Sequence, residues 1–422
     1  MIKETIVKIS KMVSGTNVAD GLKHLNEENR NLITLFNRLK EIIEVNVLKN
    51  QIVNDPILKD AVKIAGANGL ADRIIHMVFV KSTSLLVDDQ SKIFCNPEKA
   101  FLEFERLRDL FLAKEVECEG CARILGLEPY INEIIINEEV KIVRLCDNDQ
   151  KLNEPILKRD HRKIEKAEPS DEYKTEIKVR FKYPVNPKEE MYLLKAEEKA
   201  REKTRNICRN VLSALYLILP GKFDLGQIES KSFFQGTCCT FARSDLNIGF
   251  EDIKFEKDYT QKFIEILNIL NNGQQNDEML ERVMRRYNIR RTRDNDQDKL
   301  IDYVIAWESI LLTVNGNPIR YEMAYRFRLN GSSVIRKCLP DIERKDVFNF
   351  FDNVYDIRSS IVHGESEIII NKKVCKSKFA NLNELTERVD YYLRETICWL
   401  LKMEYENRPY KKDEEWENLL WE

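Results

Sequence analysis

Apolar positions at spacings of three and four dominate both ends of the chain, while its middle alternates in steps of two. Residues 20–50 and 57–80 read as helices, with Leu32, Leu35, Phe36, Leu39, Ile42 and Ile43 recurring on one face. A third amphipathic stretch covers 97–117, opened by Asn96-Pro97, a cap followed by a first-turn proline. The run from Ile131 to Val143 predicts two short strands around a polar turn, and Thr175 to Tyr183 alternates Ile177, Val179 and Phe181 with basic residues, as a half-exposed strand does. Between them, residues 147–176 carry Lys, Asp, Glu, Pro155 and Pro169, the composition of an exposed connection. A long helix is expected over 188–218, stopped by Pro220-Gly221, and strands and loops over 223–256. From Tyr259 onward the period is helical, broken at Asn271-Asn272-Gly273, Asn315-Gly316-Asn317-Pro318, Asn330-Gly331 and Leu339-Pro340. The expected fold is therefore α+β: a mixed N-terminal region over 1–257, helical within 20–117 with strands near 130–183 and 223–256, then an all-helical domain over 258–422.

Length and composition narrow the class. A chain of 422 residues is long enough for two or three domains, and 43% hydrophobic with 33% charged residues describes a charge-rich globular protein. A net charge of −3 places any polyanion site on a local patch, because the chain as a whole has no basic excess. Residues 1–15 lack the apolar core of a signal peptide, and the longest apolar run, 211–219, is short for a membrane span, so a cytoplasmic location is expected. Ten scattered cysteines suit a reducing compartment. Cys118 and Cys121 form one CxxC pair, but no second pair completes a zinc set, and no cofactor or metal is expected.

Candidate chemistry concentrates near the C-terminal end, at Tyr355-Asp356-Ile357-Arg358-Ser359-Ser360-Ile361-Val362-His363-Gly364. An imidazole that titrates near neutrality and a permanently charged guanidinium fork suit proton transfer at a phosphate. Asp341 is placed to cap the helix that carries this segment, and Val347, Phe348, Phe351, Val354, Tyr355, Ile361 and Val362 mark its apolar face, with Arg358 among them. An arginine on such a face calls for a carboxylate, an interface or a phosphate. Glu308 sits on the apolar face of the preceding 298–314 helix, with Ile301, Val304, Ile305, Leu311 and Leu312, and two packed helices would bring it to Arg358, as a structural ion pair or as part of a site. His363 lies five residues on, about 140° around an ideal helix from Arg358. Gly364 would let the last turn unwind toward the arginine. Alternatively a second protomer supplies one member of the pair, or His363 is simply an imidazolium facing the helix dipole.

The segment 290–400 resembles the HEPN superfamily, in particular its Apea-like group, through Tyr303-Val304-Ile305-Ala306-Trp307-Glu308-Ser309-Ile310-Leu311-Leu312, the Arg358–His363 motif above, and the intervening Glu322-Met323-Ala324-Tyr325-Arg326-Phe327-Arg328-Leu329. The resemblance implies a helical bundle that dimerises around the motif and cleaves RNA without metal, often as a toxin or antiphage effector. By the same resemblance His363 transfers the proton and Arg358 contacts the phosphate, while Ser359 stands where many members carry asparagine, aspartate or histidine. RNA, a second copy of the chain, and an inhibitory or sensor partner are the implied partners. A basic stretch, Arg282, Arg285, Arg286, Arg290, Arg291 and Arg293 with Tyr287, offers RNA contacts or, with Asp294, Asp296 and Asp298 beside it, a mixed-charge connection.

Overall fold

The computed structural model describes residues 1–14, 16, 35, 37–56, 58, 67–85, 93–110, 113–145, 174–185, 192–221, 223–232, 236–241, 253–271, 277–289, 293, 295–315, 317–404 and 407–421. Of the connection expected over 147–176 all but residues 174–176, and about half of the first expected helix, fall outside them. The fold is α+β. It divides into two compact units, residues 1–120, 179–204 and 229–240 forming the first, and 121–178, 205–228 and 241–422 the second. Both are discontinuous in sequence; the 258–422 helical run lies wholly in the second.

In the first unit α1 (Ile2–Val13), α2 (Ile43–Val53) and α3 (Ala67–Ser82) are followed by a hairpin of β1 (Thr83–Leu85) and β2 (Ile93–Cys95), then α4 (Pro97–Leu110). The Asn96 side chain caps α4 as expected, accepting from the amides of Glu98 and Lys99 at 3.0 Å. That helix stops at Leu110, because residues 115–125 form β3 (Glu115–Leu125) instead of its last turn. The helical period expected to 117 is thereby overridden by sheet pairing.

The chain continues through β4 (Leu127–Pro129), β5 (Glu133–Ile135), β6 (Val140–Arg144), β7 (Thr175–Pro184), α5 (Tyr192–Ile218), β8 (Asp224–Ser232), β9 (Gly236–Phe241) and β10 (Ile253–Phe255). A six-stranded sheet runs in the order β5-β6-β7-β3-β8-β9, and β10 pairs parallel with β4. The hairpin expected within 131–143 is β5 against β6. Gly120 in β3 sits where a Cβ would collide with the Thr204 side chain of α5, so only glycine lets helix and strand approach this closely.

The rest of the second unit is helical: α6 (Thr260–Asn271), α7 (Glu278–Ile289), α8 (Asp296–Leu311), a two-residue hairpin of β11 (Thr313–Val314) and β12 (Asn317–Pro318), α9 (Met323–Cys338), α10 (Arg344–Val362), α11 (Glu367–Lys376), α12 (Leu382–Lys402) and α13 (Asp413–Trp421). Their core is aromatic. Phe351 meets Trp307 edge-on at 4.9 Å and Phe327 at 5.4 Å, and Phe350 meets Tyr392 at 5.0 Å. Gly331 permits this packing, since a Cβ there would lie 2.8 Å from the Phe351 ring. Two buried ionic groups tie the bundle together. Tyr303 donates to Asp390, which also accepts from Arg394 at 3.0 Å, and the fully buried Arg408 and Tyr410 both donate to Asp277, at 2.5 and 2.6 Å. No helix among the described residues is long and apolar enough to cross a membrane.

Candidate functional site

Glu308 and Arg358 meet as their helical wheels require. Glu308 leaves α8 one turn before its end, and Arg358 leaves α10 one turn before its own; the guanidinium lies 3.6 Å from the carboxylate. Both side chains are about four-fifths buried, with 24% and 20% of their surface exposed for Arg358 and Glu308. Burial raises the Glu308 pKa above its ordinary value, and the attraction of Arg358 offsets this only in part. For the carboxylate, desolvation thus outweighs the attraction of the guanidinium, as happens in a partly buried ion pair of loose geometry. The neighbouring Tyr355 hydroxyl is also raised, first by burial and then by Glu308. The Arg358 Nε is buried without a hydrogen-bond partner among the described residues.

The helix that carries Arg358 differs in two ways from its expected form. Its N-cap is Glu343, not Asp341, because the residues after Pro340 make a turn before the helix begins. Its buried face is Val347, Phe350, Phe351, Val354, Ile357 and Ser360, rotated away from Val362, which is half exposed. That rotation moves Arg358 from the middle of the apolar face to its margin, where it can touch both Glu308 and solvent.

His363 is exposed and occupies the C-cap of α10. The His363 amide donates to the Ser359 carbonyl at 3.0 Å, so the last turn stays helical up to the histidine and does not unwind toward Arg358. Gly364 does adopt the left-handed conformation, φ +73°, but only beyond His363. Its amide donates to Ile361, and that of Glu365 to Ser360, the paired bonds of a Schellman helix end. With the helix intact, His363 departs about 140° around the axis from Arg358. No hydrogen bond or ion pair joins the two side chains. Ser359 is partly exposed between them, and its carbonyl is spent on His363.

Lys373 of α11 carried no sequence signal, since nothing in a lone lysine of a mixed-charge helix shows where it will reach. Its ammonium donates to Ser360 Oγ at 2.6 Å and Asp356 at 3.1 Å, and lies 3.6 Å from Glu365. It thereby clamps the last turn of α10 to the segment just past His363. The bond to Asp356 is the main cause of its raised pKa.

The expected basic patch is assembled differently. Arg286 and Arg293 converge on the buried Asp302 carboxylate, at 3.4 and 2.9 Å. Tyr287 is fully buried, its hydroxyl donating to the Tyr216 carbonyl at 2.9 Å, so its ring is not offered to a ligand. Arg282 and Arg285 are exposed, whereas Arg290 and Arg291 lie outside the described residues. The CxxC thiol of Cys118 is buried and pushed up to about 12, which keeps it protonated and unreactive.

A second cluster of arginines and tyrosines gathers at the start of α9. Tyr321 and Tyr325 are exposed, the Arg326 guanidinium stacks 4.6 Å over Tyr321, and Arg328 sits 5.7 Å over Tyr325 while pairing with Asp352. Glu322, which starts the helix, is left-handed at φ +50°, a strained setting for a side-chain-bearing residue. The alternation of arginine with aromatic residues was its only sequence signal. Comparison with protein-family models, with curated proteins and with solved structures returns no match to this chain.

Proposed function

We propose that this chain is an endoribonuclease of the HEPN type that cleaves RNA without a metal ion, acting in the cytoplasm as a toxin or antiphage effector, with its N-terminal region sensing a trigger or restraining the nuclease. The observation that carries the reading is Arg358, a cation 24% exposed at the margin of a packing face and only loosely paired with Glu308, at 3.6 Å. Such a group can donate to a phosphoryl oxygen in place of solvent. The RNA supplies its own nucleophile. Its 2′-hydroxyl oxygen bonds to the adjacent phosphorus as the bond to the 5′-oxygen breaks; the hydroxyl proton is removed and the departing 5′-oxygen is protonated. His363 carries the proton, Arg358 neutralises the phosphoryl charge, and the products are a 2′,3′-cyclic phosphate and a 5′-hydroxyl. Because His363 and Arg358 diverge on one helix, the complete site draws them from two copies of the chain.

That divergence also favours a second reading, a non-catalytic HEPN module for dimerisation or RNA binding. Incubation with total RNA in EDTA, followed by mapping of the new ends, separates them. Cleavage with cyclic-phosphate ends is expected, falling about 100-fold or more in His363→Ala, while DNA stays intact. A His363→Ala protein that degrades RNA as fast as the parent refutes the catalytic reading.

A further inference from the structure

The exposed cluster at the start of α9 lies at the same end of the bundle as Arg358 and His363. The register of α9 on α10 establishes this. Arg344 near the start of α10 donates to Ser333 at 3.0 Å, Arg328 reaches Asp352, and Phe327 packs at a tilt against Tyr355, 5.1 Å between ring centres. Each step back along α9 is therefore a step forward along α10. Residues 323–326 continue that antiparallel course toward the last turns of α10, and Tyr321 is held beside them by its contact with Arg326.

Their chemistry is that of a single-stranded nucleic-acid surface. Tyr321 and Tyr325 are 61% and 48% exposed, far more than packing requires of a tyrosine. Arg326 lies over the Tyr321 ring and donates to its hydroxyl at 3.3 Å, while most of the tyrosine's surface stays exposed. Neither the exposed Arg320 nor Arg326 forms an ion pair among the described residues, and the Arg326 Nε is buried without a hydrogen-bond partner. Unpaired bases stack on aromatic faces, and guanidinium forks donate to the phosphates between them. A protein partner would favour a contiguous apolar patch, whereas here each ring is flanked by a cation.

We infer that the surface formed by Arg320, Tyr321, Tyr325 and Arg326 binds single-stranded RNA, stacking bases on the two tyrosines and leading the strand to the Arg358 end of α10. The identity of the ligand as RNA rests on the proposed nuclease reading; the surface itself rests on geometry. A 12-nucleotide 2′-O-methyl RNA, which lacks the attacking hydroxyl, serves as an uncleavable probe in fluorescence anisotropy with the full chain. Tyr321→Ala/Tyr325→Ala is expected to weaken its binding about tenfold or more, with an unchanged melting temperature because both rings are exposed. Arg326→Gln is expected to lower the slope of log affinity against log salt by about 0.7. Unchanged affinity in the tyrosine variant, or a parent that does not bind the probe, overturns the inference. So does sedimentation in which that variant dissociates a dimer while probe binding is kept, since the surface then belongs to a second copy. The two readings fail separately. A parent that binds through the tyrosines but leaves RNA uncut refutes the nuclease alone, and one that cuts RNA with tyrosine-independent affinity refutes the surface alone.

Discussion

Two arginine-rich segments of the second unit have opposite fates. Residues 282–293 hold the densest basic run of this region, yet Arg286 and Arg293 are spent on Asp302, and Tyr287 is sealed in the core. Residues 320–328 are less basic, include Glu322 and pair Arg328 with the exposed Asp352, yet they expose two tyrosines and keep Arg320 and Arg326 out of any ion pair among the described residues. The difference lies in the neighbours. Asp302 is buried beneath α7 and needs counter-charge, so it draws in the nearest guanidiniums, whereas the start of α9 meets no such acid. Linear charge density therefore measures how many cations exist, while unspent donors measure how many can hold a phosphate.

The sharpest contrast is with an arginine that has no surface at all. Arg408→Ala leaves Asp277 charged and buried, and a loss of about 3–5 kcal/mol in denaturant unfolding is expected; a loss below 1 kcal/mol would show that such pairs are not structural here. The same cluster has a pH signature. Burial pushes Asp277 upward, but hydrogen bonds from Tyr410 and Arg408 and the nearby Lys411 bring its pKa below the ordinary value. Its stabilisation is therefore complete above the unfolded carboxylate pKa and is lost as pH falls through the lower folded value.

Glu308 has the opposite sign. With a folded pKa above the ordinary value, its contribution is complete below the unfolded pKa and is lost as pH rises through the folded one. Glu308→Gln should therefore change stability by no more than about 1 kcal/mol at neutral pH and abolish that loss, which melting temperatures across pH 4–8, roughly the span of carboxylate and histidine titration, will register. A variant whose melting curve follows the parent's at every pH would show that Glu308 stays an ordinary carboxylate. The smallest effect belongs to Arg286→Gln: about 0.5 kcal/mol or less, because the side chain is half in water and Arg293 remains on Asp302. Its affinity for the 2′-O-methyl probe should stay within about twofold of the parent's. A tenfold loss would return RNA to the 282–293 segment and reverse the comparison.

Much of the secondary structure was legible from periodicity. The 175–183 strand, the 188–218 helix and the helical run after 259 are present within a few residues, since each repeats its apolar positions over several turns or alternations, but the break expected at Asn330-Gly331 is absent, because α9 runs unbroken from Met323 to Cys338 with both residues buried in its packing. β3 was missed although Glu115-Val116-Glu117-Cys118 already alternates polar and apolar in the strand period, because so short a run follows directly on a helical one, and its pairing with β7 and β8 shows only in the sheet. The Glu308–Arg358 contact could be read from two helical wheels, as each places a charge on a packing face. The Lys373 clamp could not, because it depends on how α11 folds back over α10.

The sequence by itself determined which residues are chemically able: the arginine-histidine spacing, the glycine that ends α10 and the acid of α8 are local facts of backbone preference and amphipathic phase. Only the tertiary structure decided which of them are available. It rotated Arg358 to the edge of its helix, kept His363 about 140° away from it by leaving the last turn intact, closed Asp302 over two arginines and left the aromatic start of α9 exposed. Propensity acts within a few residues of the chain, whereas desolvation and charge pairing depend on neighbours that come together only when the helices pack.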